Sequence, residues 1–148
     1  MKTVRGSCNL RISYERKADG ITVKRAVSSD EEVYVPDKVE GIPVVRIDDY
    51  AFSSEGPVSS GGEEICFLGK PGAGEPDNAG IKSIFIPETV RAFGSYVFYN
   101  CLALREIELY DTFDSWGGSV FMNCLDLHDI RLNMTEGPEK TLVRIALE

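Results

Sequence analysis

The side chains of this chain that could carry out chemistry are few, and their arrangement matches no common catalytic pattern. Its 148 residues include one histidine, His128, and four cysteines (Cys8, Cys66, Cys101 and Cys124). A cysteine becomes a nucleophile only where a base or a positive charge stabilises its thiolate. Because no nucleophile–base pair is evident, we expect no catalytic residues, and we interpret Cys101 and Cys124 as reduced, buried packing residues.

Three short segments resemble ligand-binding motifs without completing them. His128 has acidic neighbours, but a metal site needs several converging ligands, so we interpret it as an exposed histidine at a strand edge. The pair Asp48-Asp49 lacks the alternating oxygen ligands of a calcium loop, which favours a solvated turn. Residues 69–74 are glycine-rich but lack the GxxxxGK(S/T) sequence of a phosphate-binding loop. We therefore predict no metal and no cofactor.

The charge balance narrows the range of partners. The formal net charge is −8 and the pI is near 4.7, which disfavours contact with a phosphate backbone, so we expect no nucleic-acid partner. No apolar run reaches the roughly 20 residues of a spanning helix, and the N-terminus has no apolar signal segment. We therefore expect no membrane insertion and no signal peptide in this chain.

The strongest pattern in the sequence is a repeat of 23 residues. Ile84, Ile107 and Ile130 have this spacing, and so do Cys101 and Cys124. A fixed period of this size is typical of stacked repeats that share one continuous core. The same spacing relates Ile86 to Leu109 and Leu132, Phe98 to Phe121, Asn100 to Asn123, Leu104 to Leu127, and Gly94 to Gly117.

Each repeat contains two apolar residues that stand two positions apart, which is the spacing of one face of a β-strand. The pairs are Val33/Val35, Ile84/Ile86, Ile107/Leu109 and Ile130/Leu132. If these pairs face the core, the residues between them face outward and align across parallel strands. One outward row then contains Tyr34, Cys66, Phe85, Glu108 and Arg131, and the next contains Ser83, Glu106 and Asp129.

We divide the chain into three parts. Residues 1–30 are predicted to form an N-terminal hairpin cap, because apolar alternation at 10–14 and 21–23 flanks the turn signal Asp19-Gly20. Residues 31–134 are predicted to form the repeats. Residues 135–148 form a tail that begins a helix-like pattern, and we expect it to start a further segment.

Residues 53–80 interrupt the repeat pattern. The interval from Phe52 to Ile84 exceeds the corresponding later interval by 23 residues, one full repeat. We therefore interpret this stretch as one degenerate repeat whose strand is 65–68. Its Gly-, Ser- and Pro-rich loops, 53–62 and 69–80, are expected on the surface.

The residues quoted above combine into the signature IP, then V, then Gly, then VF-x-NC-x-x-L-x-x-I, which resembles the BspA-type leucine-rich repeat family over about residues 19–134. The chain departs from the family at three points. Asp48 stands where the family usually has Gly, Phe93 and Trp116 replace a smaller aliphatic residue, and residues 53–80 lack the C-x-x-L element. The resemblance implies a β-rich solenoid with parallel strands on its concave face and short strands and helical turns on the return side.

The resemblance also implies a non-catalytic protein-binding module, since family members are often bacterial surface proteins implicated in adhesion. The lack of a signal segment favours the alternative of an intracellular structural or regulatory scaffold domain in a larger multidomain protein. The chain is accordingly expected at the cell surface or, on the alternative, in the cytoplasm. We expect a protein partner of unknown identity, and the open C-terminal end offers a second place for association between copies.

We predict that the partner binds the outward row at Tyr34, Phe85, Glu108 and Arg131. Exposed aromatic residues at the centre of a concave surface are typical of binding hot spots. Two alternatives remain open. Tyr34 and Phe85 could instead pack against the loops of residues 53–80, and Glu108 and Arg131 could simply pair with each other.

Overall fold

The structure is a computed structural model that describes residues 9–54, 64–69 and 77–135. These residues form eleven short strands, and none of them is helical. The strands are β1 (Leu10–Lys17), β2 (Gly20–Val27), β3 (Glu32–Tyr34), β4 (Lys38–Val39), β5 (Ile42–Ile47), β6 (Glu64–Leu68), β7 (Ser83–Phe85), β8 (Ala92–Phe93), β9 (Glu106–Tyr110), β10 (Ser115–Trp116) and β11 (Asp129–Asn133).

The strands form two sheets that together build a β-solenoid. The first, the repeat sheet, has four parallel strands in the order β11-β9-β7-β3. The second, the return sheet, runs β10-β8-β5-β2-β1-β6, with β4 paired to β5. The chain alternates between the sheets from β7 to β11, so each turn of the solenoid adds one strand to each. The predicted fold class is confirmed, except that the described residues contain no helical turns.

The core lies between the two sheets and follows the apolar alternation of the sequence. Val33, Ile84, Ile107 and Ile130 are aligned across the repeat sheet, and the first three are almost fully buried. Phe93 of the return sheet faces the same core and is also buried. The 23-residue period therefore produces one continuous apolar column, to which every turn contributes.

Glycine occurs in the repeat where successive turns touch through their backbones. A Cβ atom on Gly117 would lie 2.6 Å from the Ser95 nitrogen, and closer still to the carbonyl group of Gly94. A Cβ atom on Gly94 would lie 2.6 Å from the nitrogen of Asp49. Real Cβ atoms do not approach other atoms this closely, so no other residue fits at these positions without separating the turns.

The N-terminal cap is the predicted hairpin. Strands β1 and β2 pair antiparallel, with Lys17 opposite Gly20 at the turn. Ile12 and Tyr14 of β1 are almost fully buried. The hairpin continues the return sheet, because β2 also pairs in parallel with β5, and its apolar face closes this end of the core.

The strand within residues 53–80 exists but does not belong to the repeat sheet. It pairs antiparallel with β1, placing Cys66 opposite Ile12, while Val33 pairs directly with Ile84. The expectation of a degenerate repeat strand between β3 and β7, with Cys66 in the outward row, is therefore wrong. Without this strand, β1 would be the edge of the return sheet and its backbone groups would lack partners.

Several predictions fall outside the described residues. They concern most of the two loops, at 55–63 and 70–76, the tail after Thr135, and Cys8.

Candidate functional site

The four residues predicted to bind a partner are aligned on the repeat sheet. Tyr34 lies opposite Phe85, Phe85 opposite Glu108, and Glu108 opposite Arg131. We call these four residues the outward row. Their alignment is confirmed by the strand register, whereas their role in binding stays a prediction. A parallel flanking row, two residues earlier on each strand, contains Glu32, Ser83, Glu106 and Asp129.

Phe85 lies between two tyrosine rings on this face. Its ring contacts Tyr34 edge-on at a centroid distance of 6.2 Å, and contacts Tyr110 in the same way, also at 6.2 Å. All three side chains are half-buried. Edge-to-face packing restrains the rings while leaving part of each exposed. Sequence reasoning missed Tyr110, although its position two residues after Glu108 on one strand places it on the same face.

Most of the charged residues on this face are acidic. The Arg131 guanidinium lies 3.9 Å from Glu106 and 3.7 Å from Asp129. Glu108 accepts a hydrogen bond from the side-chain amide of Asn133 at 2.9 Å. Arg131 is 61% exposed, and such exposed ion pairs contribute only about 0–1 kcal/mol. Its ion pairs therefore hold it only weakly.

This face contains a depression of about 150 Å³. Every residue that lines it belongs to a strand of the repeat sheet, so the face is a product of the stacked repeats. The lining residues are Glu32, Tyr34, Ser83, Ile84, Phe85, Glu106, Ile107, Glu108 and Arg131.

The sequence of the second half of the chain matches a known repeat. Residues 77–141 match the family described as BspA type Leucine rich repeat region (6 copies). This segment carries BspA-type leucine-rich repeats. The resemblance inferred from the IP, V, Gly and NC-x-x-L signature is confirmed there. Comparison with curated proteins gives no match.

Two solved structures share the fold. A leucine rich cell surface protein from Faecalibacterium prausnitzii A2-165 is 24% identical with a TM-score of 0.55, and the match covers 82% of this chain and 30% of that protein. The T. pallidum Leucine Rich Repeat protein is 20% identical with a TM-score of 0.56, and the match covers 82% of this chain and 47% of that protein. This chain thus spans less than half the length of either protein, and the likeness establishes the fold alone.

The cysteines of the BspA-type repeat donate hydrogen bonds to the preceding turn. The Cys101 thiol donates to the Phe52 carbonyl oxygen at 3.2 Å, and the Cys124 thiol donates to that of Phe98 at 3.1 Å. Both cysteines are free. Burial raises the pKa of the Cys101 thiol far above its ordinary value and that of Cys124 to about 11. Both thiols therefore favour the protonated form. The predicted burial is confirmed for Cys101, whereas Cys124 is half-buried against the core.

Asn78 occupies the cysteine position of the first BspA-type repeat, 23 residues before Cys101. It is fully buried, donates to the carbonyl oxygens of Ala26 and Phe52, and accepts from the Ser28 N–H at 2.8 Å. Ile81 follows at the leucine position and is also buried. The expectation that the loop 69–80 lies on the surface is wrong at Asn78, which is buried. Residues 53–80 lack C-x-x-L, as predicted, but Asn78 and Ile81 form an N-x-x-I counterpart of that element. The offset from Cys101 was the signal that could have revealed it.

The Asp48-Asp49 turn is not simply solvated, contrary to the prediction, because the side chain of Asp48 is ion-paired within the protein. Asp48 forms ion pairs with Lys24 at 2.8 Å and with Arg46 at 3.3 Å. Burial alone would raise the pKa of Asp48. Hydrogen bonds from Lys24 and the Asp49 backbone, together with the charges of Lys24 and Arg46, more than offset this effect and hold that pKa below its usual value. The turn therefore contributes an internal ion pair to the solenoid.

His128 is exposed, and its Nδ1 atom lies 2.8 Å from the Asp126 carbonyl oxygen. In the described part of the chain, no group of three or more histidine, cysteine or acidic residues could hold a metal ion. The same residues include no helix with the length and apolar character needed to cross a membrane.

Proposed function

We propose that this chain is a non-catalytic module that binds a protein partner through the outward row of its repeat sheet. The observation that carries the proposal is the set of aromatic rings, with Phe85 between Tyr34 and Tyr110, beside a depression in the repeat sheet. Aromatic residues near the centre of a surface are the commonest binding hot spots, because they bury much area at little cost in side-chain entropy.

The size of the depression favours a segment of a macromolecule over a small molecule. Its volume of about 150 Å³ is below the ≈300–1,000 Å³ typical of small-molecule sites. An extended surface can instead contact several side chains of a partner in succession, as repeat proteins commonly do.

An adhesive role at a cell surface is the finer part of the proposal. It is supported by the match to the BspA-type family and by the description of the Faecalibacterium relative as a cell surface protein. The competing role, an intracellular scaffold domain, does not require the outward row to contact any partner. A test of that face therefore decides whether the chain binds through the outward row.

The test is a selection of binders from a random peptide library on the immobilised protein, followed by mapping of the site. Backbone amide chemical shifts of the labelled protein are recorded with and without each selected peptide. The proposal expects the largest changes in β7 and β9, at Phe85 and Glu108. The matched comparison surface is the turn that carries Leu125, which is apolar and 80% exposed.

Changes concentrated around Leu125 would overturn the proposal, because any exposed apolar residue would then serve as well. The absence of any peptide selected above the background of the uncoated support would also overturn it.

A further inference from the structure

We infer that the segment that occupies the depression is basic, and that it places a lysine or arginine side chain against Tyr34 and Phe85. This inference rests on the proposed function and adds the chemistry of the partner to it.

The lining of the depression carries an excess of negative charge. Glu32, Glu106 and Glu108 contribute three negative charges and Arg131 contributes one positive charge, so the lining carries a net charge of −2. Arg131 is itself 3.7 Å from another carboxylate, that of Asp129. A cation that enters the depression therefore meets an excess of negative charge.

The aromatic rings of the depression have carboxylates beside them. The Tyr34 hydroxyl donates a hydrogen bond to the Glu32 carboxylate at 3.4 Å. Phe85 lies opposite Glu108 on the neighbouring strand. A partly exposed aromatic ring with a carboxylate beside it attracts a cationic side chain in two ways. The ring attracts the cation through its quadrupole, and the carboxylate accepts a charge-assisted hydrogen bond.

The charge of the whole protein also favours a basic partner. The net charge of −8 repels acidic segments at long range and accelerates association with basic ones. An acidic partner would meet repulsion both from the whole protein and from the lining of the depression. Charge complementarity therefore selects a basic protein segment.

The experiment uses the whole chain and two short peptides, one with lysine alternating with serine and one with glutamate in place of lysine. Affinities are measured by fluorescence anisotropy at about 0.15 M salt, where charges farther apart than about 8 Å are largely screened. We expect the lysine peptide to bind and to shift the amide signals of Phe85 and Glu108. We expect no binding of the glutamate peptide.

Two arginine variants provide a matched pair. Arg131 lines the depression, whereas Arg91 precedes β8 on the return sheet. Both side chains are 61% exposed and both are ion-paired. Replacing either by alanine removes one positive charge from the protein. We expect Arg131→Ala to tighten binding of the lysine peptide by about threefold or more, because it removes the competing cation from the depression. Arg91→Ala should leave the affinity nearly unchanged.

Equal effects of Arg131→Ala and Arg91→Ala would overturn the inference, because binding would then follow net charge alone. Binding of the glutamate peptide, or no binding of the lysine peptide, would overturn it too. If library-selected peptides still map to Phe85 in that case, only the basic character of the partner is wrong. If no peptide maps to Phe85, the proposed function fails as well.

Discussion

Two adjacent glycines, Gly117 and Gly118, offer a sharp test of how the repeats stack. A Cβ atom on Gly117 would lie 2.6 Å from the Ser95 nitrogen, and closer to the carbonyl group of Gly94, whereas a Cβ atom on Gly118 would have no heavy atom within 4 Å. Neither glycine has a positive φ. Replacement by alanine therefore adds a steric clash at one position and not at its neighbour.

The expected magnitude follows from the atoms involved. The atoms that a methyl group at position 117 would meet belong to backbone and cannot rotate away, so the two turns must separate. Separation would also stretch the hydrogen bond from the Gly117 N–H to the Phe93 carbonyl oxygen, now 3.0 Å. Overpacking of this kind costs about 1–3 kcal/mol, and loss of a backbone hydrogen bond about 1 kcal/mol more. We expect Gly117→Ala to lower the free energy of unfolding by about 3 kcal/mol, and Gly118→Ala to change it by less than about 0.5 kcal/mol.

The assay is urea unfolding followed by far-ultraviolet circular dichroism, with the wild-type chain and both variants at the same protein concentration. An unchanged slope with a lower midpoint for Gly117→Ala would show that the native state is destabilised. A loss below about 1 kcal/mol, or equal losses for the two variants, would refute the close backbone contact between turns.

Three further predictions concern buried polar groups. Asn78→Ala should destabilise the fold by about 2–4 kcal/mol in urea unfolding, because it leaves the buried Ser28 N–H without its acceptor; a cost below about 1 kcal/mol would contradict this role. The folded-state pKa of Asp48 is lowered, so its stabilising contribution is full above the unfolded pKa of about 3.9 and is lost as pH falls through the folded pKa. The unfolding free energy of Asp48→Asn should therefore fall less steeply below about pH 4 than that of the wild-type chain. The same pH dependence in both proteins would argue against the ion pair with Lys24. The folded-state pKa of Cys124 is about 11, and the fraction of thiolate falls tenfold for each pH unit below the pKa. Cys124 should therefore be alkylated at pH 8 about 100-fold more slowly in the folded than in the urea-unfolded chain. Equal alkylation rates, measured by mass spectrometry, would exclude burial of the thiol.

The register of the repeat sheet could be predicted because it depends on local alternation and on a fixed period. Apolar residues two apart face the core in β7, β9 and β11, so the positions of Phe85, Glu108 and Arg131 followed from the sequence. The hairpin around Asp19-Gly20 was predictable for the same reason, since its turn signal lies between two alternating runs.

The position of β6 could not be predicted in this way. An alternating apolar strand can add to any unpaired sheet edge, and only the tertiary structure decides between the repeat sheet and β1. The excess equals one repeat length, yet the strand within it pairs with β1 and not with the repeat sheet. Asn78 was missed for a different reason, because its role depends on hydrogen bonds that asparagine and cysteine can both donate, whereas the sequence pattern was built on apolar residues.

The ion pairs that Arg131 forms could not be predicted from the sequence either. Glu106 and Asp129 precede Glu108 and Arg131 by two residues each, so their row was predicted, but the diagonal reach of a long arginine side chain was not. The register supplied the positions of the charges, and the side-chain conformations determined which of them meet.

The measurement that tests the central claim most directly is the effect of Phe85→Ala on partner affinity and on stability in the same preparation. The partner is a library-selected peptide, and Leu125→Ala is the control for an exposed apolar residue outside the repeat sheet. We expect Phe85→Ala to weaken binding by about 2 kcal/mol or more, roughly thirtyfold, while the free energy of unfolding falls by less than about 1.5 kcal/mol. Unchanged affinity in Phe85→Ala, with weaker binding in Leu125→Ala, would show that the outward row is not the binding surface.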